Sequence, residues 1–353
     1  MKIIIDAMGG DNAPQAIVQG AVDAQREFGI DIVLVGKEEE IEACLSALGG
    51  KGDPHISVVH AEEIIDMHDD PATAVRKKKN SSMAVALGML RNGEGDAAIS
   101  AGSTGALLTG ATLLVRRIKG IRRAAMAPVL PNGGKGVVLI DCGANVECTA
   151  EYLLQFGYMG SFYSRNILGC EAPRVGLLNN GSEDTKGTQL CKEAYALLQE
   201  ASEAGRLNFI GNVEGTDVFS GRVDVIVTDG YSGNILLKTV EGTAKFLMKN
   251  VKDVLMKSPK TKIGALLLKN ELNGLKNLMD VSEVGGTAFI GITRPVIKAH
   301  GSSNARAIRS AVKQAIGFVN AHVTEDIIEN IEYMKLRGES AEDERKEQQH
   351  GFQ

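Results

Sequence analysis

The chain has 353 residues, a formal net charge of −5, 44% hydrophobic and 24% charged residues, the composition of a globular protein long enough to bury a large core as one domain or two. An acidic balance excludes a general nucleic-acid binder, which needs a basic field to displace counterions, so no nucleic acid is expected as a partner. Five cysteines without a C-x-x-C pair fit a reducing cytoplasm, and no apolar run approaches the ~20 residues of a membrane span.

The chain opens on "MKIIIDAMGG", whose apolar run ends at Asp6, too early for a signal peptide. That run, 2–6, is the first of a series of predicted strands at 31–36, 56–60, 96–100, 136–141, 174–179, 224–230 and 294–300. Continuous apolar runs alternating with helical patterns predict a doubly wound α/β fold with a mainly parallel sheet covered on both faces. The 41 glycines fit its many tight strand-to-helix turns. Ser81-Ser82 and Ser302-Ser303 read as helix caps. From 241 to 283 the alternation gives way to a lysine-rich helical excursion, and from 336 to 353 the chain is a polar tail. The expected organisation is one α/β catalytic domain over 1–335, containing the excursion, followed by that tail.

Seven predicted strands end in small polar tips. They are "DAMGGDN" (Asp6, Gly9, Gly10, Asp11, Asn12), "SAGSTGA" (Ser100, Gly102, Ser103, Thr104, Gly105), "DCGAN" (Asp141, Gly143, Asn145), "NNGSEDTKG" (Asn179, Asn180, Gly181, Lys186, Gly187), "GNVEGTD" (211–217), "TDGYSGN" (Asp229, Gly230, Gly233, Asn234) and "HGSSN" (His300). Open parallel sheets bind ligands beyond the carboxyl ends of their strands, where glycine permits close approach and helix N-termini offer N–H groups to anions. The same residues are ordinary turn and cap formers, but seven rich tips at one end favour a site. The loop 179–187 is the best single anion candidate, although Lys186 precedes the second glycine and the nucleotide P-loop pattern is not met. Neither H-E-x-x-H, zinc spacing, G-x-G-x-x-G nor a complete G-x-S-x-G occurs, so metal hydrolysis and serine-hydrolase chemistry lose support, and no metal or cofactor is expected.

"DAMGGDNAP", "KKKNSSM", "SAGSTGAL", "DCGAN", "NNGSEDTKG", "EGTDVFSGRVDVIVTDGYSGN" and "KAHGSSNA", in that order, resemble the bacterial phosphate acyltransferases of the PlsX family over nearly the whole chain. The resemblance implies the three-layer α/β/α architecture of phosphotransacetylases and isopropylmalate-type dehydrogenases. It also implies a homodimer that transfers an acyl group reversibly from acyl carrier protein to inorganic phosphate, for phospholipid synthesis. Such a reaction needs alignment and oxyanion donors more than a strong base, because phosphate is already an anion and a thiol is a good leaving group. Lys186 is then expected to meet phosphate or oxyanion charge, with Asn145, Asn179, Asn180 and Asn234 as neutral donors and the Gly102–Gly105 turn as a backbone cradle. His300 is a secondary candidate, and Asp6, Asp11, Asp141 and Asp229 are expected to orient lysines and amides. A dehydrogenase of the same architecture and a non-catalytic sensor of a phosphorylated metabolite are the competing readings.

Two surface features complete the expectations. An acidic carrier protein would dock on Arg76-Lys77-Lys78-Lys79 or on the cluster Arg116, Arg117, Lys119, Arg122 and Arg123. In 254–280, Ile263, Leu266, Leu267, Leu275, Leu278 and Met279 stand beside Lys257, Lys260, Lys262, Lys269 and Lys276. That pattern suits an anionic membrane surface or packing against the core or a second subunit.

Overall fold

The computed structural model describes residues 1–269, 271, 272, 274 and 286–335. Its strands are β1 (Lys2–Asp6), β2 (Asp31–Gly36), β3 (Ile56–His60), β4 (Ala97–Ser100), β5 (Ala125–Ala127), β6 (Val129–Leu130), β7 (Val137–Ile140), β8 (Val175–Leu178), β9 (Phe209–Val213), β10 (Val225–Val227), β11 (Thr287–Ile290) and β12 (Val296–Lys298). They form a seven-stranded sheet in the order β3-β2-β1-β4-β12-β11-β5 and a five-stranded sheet in the order β6-β7-β10-β8-β9. The expected parallel pairing holds for the long apolar runs, but it is divided between two sheets. Antiparallel pairs stand at β11–β12, β11–β5 and β6–β7.

The helices are α1 (Gln15–Phe28), α2 (Glu38–Ala47), α3 (Ala74–Lys77), α4 (Ser82–Asn92), α5 (Thr104–Gly110), α6 (Ala150–Leu168), α7 (Gln189–Glu203), α8 (Gly230–Met256), α9 (Pro259–Leu267), α10 (Ala305–Asn320) and α11 (Val323–Glu329). Alternation along the central strands sets the layers. Ile3, Ile5, Ile32 and Leu34 join Ile17 and Val18 of α1 and Ile308 and Val312 of α10 in one core, while Ile4, Val33 and Val35 join Met83 and Leu87 of α4 in another. The small sheet repeats the scheme, with Val138, Ile140 and Val225 in the first core beside α6 and α7, and Leu139 and Ile226 in the second beside Leu237 of α8. Both cores therefore run through both sheets. The architecture is three-layer α/β/α.

Caps fix where the helices begin. The Ser81 hydroxyl accepts from the Ala84 N–H at 3.3 Å and starts α4. At α10 the cap is Asn304, whose side chain accepts from the Ala307 N–H at 3.0 Å, because Ser303 is still held in a turn by its N–H to the His300 carbonyl. The long helix α8 begins at Gly230, on the tip of β10 itself, rather than at 241, with Asp229 as its cap. Of its residues only Gly230, Gly233 and Leu237 are buried, so most of the helix stands away from the body and turns into α9. Leu275, Lys276, Leu278, Met279 and the tail 336–353 lie outside the described residues.

Candidate active site

Adjacent strands β1, β4 and β12 bring three tips into contact. Asp6, 2% exposed, receives the Ser100 hydroxyl at 2.6 Å and the Met8 N–H at 3.2 Å. Burial raises its carboxyl above the ordinary value, against hydrogen bonds from Ser100 and Ser82 that lower it. Ser100 in turn accepts the Gly102 N–H at 3.1 Å, so that part of the expected Gly102–Gly105 cradle is spent inside the fold. A Cβ on Gly9 would stand 2.7 Å from the Gly102 nitrogen, and one on Gly105 2.8 Å from Pro71. Ser103 caps α5, which begins at Thr104. Gly10, with φ of +103°, has the Gly301 carbonyl and the Ala101 side chain against it, and the Asp11 N–H donates to that same carbonyl at 2.8 Å. Asn12 donates to the carbonyls of Ser302 and Ser303, both at 3.2 Å.

Beneath this junction lies a residue that sequence reasoning missed. Lys298 is 7% exposed, and its ammonium donates to the carbonyls of Ala101 and Ala299. Burial lowers its pKa to about 8, against the opposing pull of Asp6 and Asp11. His300 stands at the surface, its Nδ1 2.8 Å from the Ser302 hydroxyl. Desolvation first, and then the charge of Lys238, hold its pKa below the ordinary value.

In the small sheet β7 and β10 are neighbours, and Asp141 is the keystone of their tips. Fully buried, it accepts N–H groups from Met126 at 2.8 Å, Cys142 at 2.6 Å, Ala144 at 3.3 Å and Asn145 at 2.6 Å, and the Asn145 side chain at 3.1 Å. Burial pushes its carboxyl up while these donors pull it down. The Asn145 amide also donates to the Ala124 carbonyl at 2.8 Å. Both its hydrogens are thus consumed, which corrects the expectation that it offers a donor to substrate. Gly230 lets α8 start within reach of this turn, since a Cβ there would meet the Asn145 carbonyl oxygen at 2.5 Å and Asp141 Oδ2 at 2.7 Å. Asp229 is likewise occupied, accepting the Ser232 N–H at 2.8 Å and hydroxyl at 2.9 Å. One turn along, Asn234 is exposed with its side chain near Gly143, and among the described residues no hydrogen bond engages its amide.

The loop after β8 is held open by asparagines. Asn179 accepts the Asn180 N–H at 2.9 Å and donates to the Lys186 carbonyl at 3.2 Å, packing against Gly187, whose φ of +90° excludes a side chain. Asn212 of the neighbouring β9, inside the tip 211–217 but not singled out there, is 7% exposed and donates to the Glu183 carbonyl at 2.7 Å. Lys186 is displayed rather than buried, its side chain 49% exposed and 4.0 Å from Glu183 Oε1, and Gly181 lies against its stem. Among the described residues its ion-pair partner is Glu183 of the same loop. Asn180 is exposed at the same edge.

Lys238, two turns into α8, pairs with Glu241 at 2.8 Å, and the two opposite charges act together on the Cys142 thiol in the small sheet and on His300 in the large one. A separate cavity of about 380 Å3 between α1, α6 and α10 is lined by none of the tip residues. Among the described residues no group of three or more His, Cys, Asp or Glu is placed to hold a metal ion.

The family model described as fatty acid synthesis protein matches residues 1–326. A phosphate acyltransferase of Oceanobacillus iheyensis is 48% identical over 333 residues, 94% of this chain and 98% of that protein. One of Clostridioides difficile is 45% identical over 345 residues, 98% of this chain and all of that one. Among solved structures, a phosphotransacetylase from Streptococcus pyogenes superposes with a TM-score of 0.58 at 18% identity, over 92% of this chain and 94% of that one. A branched-chain phosphotransacylase from Enterococcus faecalis gives 0.54 at 15%, over 90% and 99%. These two show a shared fold, whereas the sequence relatives and the matched model reach further: the chain belongs to the fatty acid synthesis protein family and is an acyltransferase.

Proposed function

We propose that the protein moves a fatty acyl group from the thioester of an acyl carrier protein to inorganic phosphate, giving an acyl phosphate for phospholipid synthesis, with residues 1–335 as the catalytic unit. The similarity to phosphate acyltransferases supports the acceptor. The observation that carries the reading is the sorting of charge at the tips. Asp6, Asp141 and Asp229 are turned onto internal hydroxyls and amides, whereas Lys186, Asn180 and Asn234 face outward with donors to offer. Asp11 and Glu183 remain exposed among these tips, so the outward donors would receive an anion beside them rather than in a field free of carboxylates.

In the forward step a phosphate oxygen attacks the thioester carbonyl, the C–S bond breaks, and sulfur leaves as thiolate to take a proton from solvent. Phosphate arrives charged and the thiol is acidic enough to leave, so positioned donors at the oxyanion, contributing several kcal/mol, suffice. No observation favours a dehydrogenase or a non-catalytic sensor. The test is phosphate-dependent release of free carrier thiol, with the acyl phosphate trapped by hydroxylamine. Thiol release that ignores phosphate would overturn the proposal.

Partners follow the same reading. Arg76, Lys77 and Lys79 are exposed for an acidic carrier, while Lys78 is occupied by Asp69 at 2.5 Å. In the second patch Arg122 pairs with Glu151 and Arg123 lies over Tyr152, while Arg116 is exposed and has no such partner among the described residues. At the end of α8–α9, Ile263, Leu266 and Leu267 are 63%, 72% and 78% exposed next to Lys260 and Lys262. This stripe is assigned to the surface of an anionic membrane, where an amphiphilic product would be handed on, with a second subunit of a homodimer as the alternative cover. Among the described residues no helix is long and apolar enough to cross a membrane.

A further inference from the structure

The geometry points to a phosphate-binding corner on the large sheet, with the Ser303 hydroxyl and the Lys298 ammonium as its donors. The inference rests on the acyl-transfer reading and deepens it. The corner would hold the attacking phosphate and leave Lys186, on the other sheet, to the oxyanion of the carbonyl.

Ser303 carries the argument. It is 5% exposed, and its Oγ has no hydrogen-bond partner. Buried hydroxyls are nearly always satisfied, because an unmade bond is expensive. Poor local order is not the reason, since its N–H donates to His300 at 3.0 Å and its carbonyl accepts from Asn12 at 3.2 Å. The hydroxyl is therefore held in place without an internal use.

Lys298 begins the same tip, and two of its three hydrogens go to the carbonyls of Ala101 and Ala299, leaving the third. Lys298 reaches the Ala101 carbonyl, Ala101 and the Gly301 carbonyl lie together against Gly10, and Ser303 follows Gly301 by two residues. The charges that face Lys298 are Asp6, Asp11 and Lys238, and those that face His300 are Lys238, Glu241, Lys298 and Lys245. Lys298, Lys238 and Lys245 thus stand against Asp6, Asp11 and Glu241, with Lys238 paired to Glu241 at 2.8 Å, so the charges balance and the corner is argued from its donors. A tetrahedral oxyanion can reach a hydroxyl and an ammonium at once, which a planar apolar group cannot.

Inorganic phosphate, titrated calorimetrically into the whole protein without acyl substrate, separates this corner from the reaction. Ser303→Ala removes no internal hydrogen bond, so it should melt with the wild type yet bind phosphate about tenfold more weakly. In turnover its KM for phosphate should rise by a similar factor while the KM for acyl carrier protein stays put. Lys298→Met should weaken phosphate binding further; if that variant fails to fold, Ser303→Ala decides alone. Wild-type phosphate affinity in Ser303→Ala, a shift confined to the carrier KM, or no phosphate binding by the wild type would each overturn the corner. Serine-dependent phosphate binding without thiol release would keep the corner and reject the acyl-transfer reading.

Discussion

Lys298→Met should change how stability depends on pH, and the sign can be worked out from the burial of one ammonium. In the folded chain Lys298 has a pKa of about 8, against an ordinary 10.5, chiefly because it is taken out of water. Between those values the unfolded chain holds a proton that the folded chain has released. The unfolded state then binds more protons, so stability rises with pH across the window. The full displacement corresponds to about 3 kcal/mol, a burden on the fold below about pH 8 that is gone above about pH 10.5. Methionine has the length and no charge, so the variant lacks this component. The assay is urea unfolding of both proteins from about pH 7 to about pH 11, taken as a difference so that other titrating groups, such as Cys148 with its thiol raised to about 12, cancel. Wild type minus variant should climb by about 3 kcal/mol over that range. A difference flat to within about 0.5 kcal/mol, or one that falls, would refute a buried charged lysine under the tips.

Lys186→Ala should lower kcat by about a hundredfold, the scale of a lost oxyanion donor, with little change in melting because the side chain is half exposed; near wild-type kinetics would remove Lys186 from the site. Leu266→Glu with Leu267→Glu should abolish co-sedimentation with anionic vesicles, since two leucines bury about 3–6 kcal/mol together, while activity on soluble substrate persists. A monomeric or unfolded variant would instead assign the stripe to a protein contact. Acyl transfer from carrier protein should slow as salt is raised, and charge reversal of Arg76, Lys77 and Lys79 should remove that dependence; salt-independent transfer in the wild type would dismiss electrostatic docking.

The parallel core was legible because strands buried on both faces need unbroken apolar runs, as "KIIID" and "GVVLID" provide. Strands β5, β6 and β11, each paired antiparallel, were not. "AMA" at β5 has no β-branched residue, and β6 is too short to show a pattern. In β9 the run is broken by Gly211 and Asn212, where its pairing with β8 also shifts register. Division into two sheets depends on which strands meet, and that information is tertiary. At the site, the glycine tips announced themselves, but their glycines mostly admit other backbone, as Gly9 does for Gly102 and Gly230 for Asn145. Asn145 looks like a donor until its amide is seen between Ala124 and Asp141. Lys298 lay inside a run read as strand, "RPVIKAH", and a lysine between apolar neighbours was the available signal. Ser303 stood in the tip "HGSSN" and read as a cap, and nothing in sequence could show its hydroxyl without a partner, which exists only in three dimensions.

One helix starts at the proposed site and leads into α9, which carries the exposed leucines. As a rigid rod α8 is about 40 Å long, pivoted at Gly230 against the Asp141 turn. A tilt of about 5° would carry its far end through about 3.5 Å but Asn234 through only about 0.5 Å. The geometry is that of a reduction gear. A surface that held α9 could pull it through several ångströms while Asn234, the proposed donor beside the pivot, stayed within the tolerance that catalytic alignment demands.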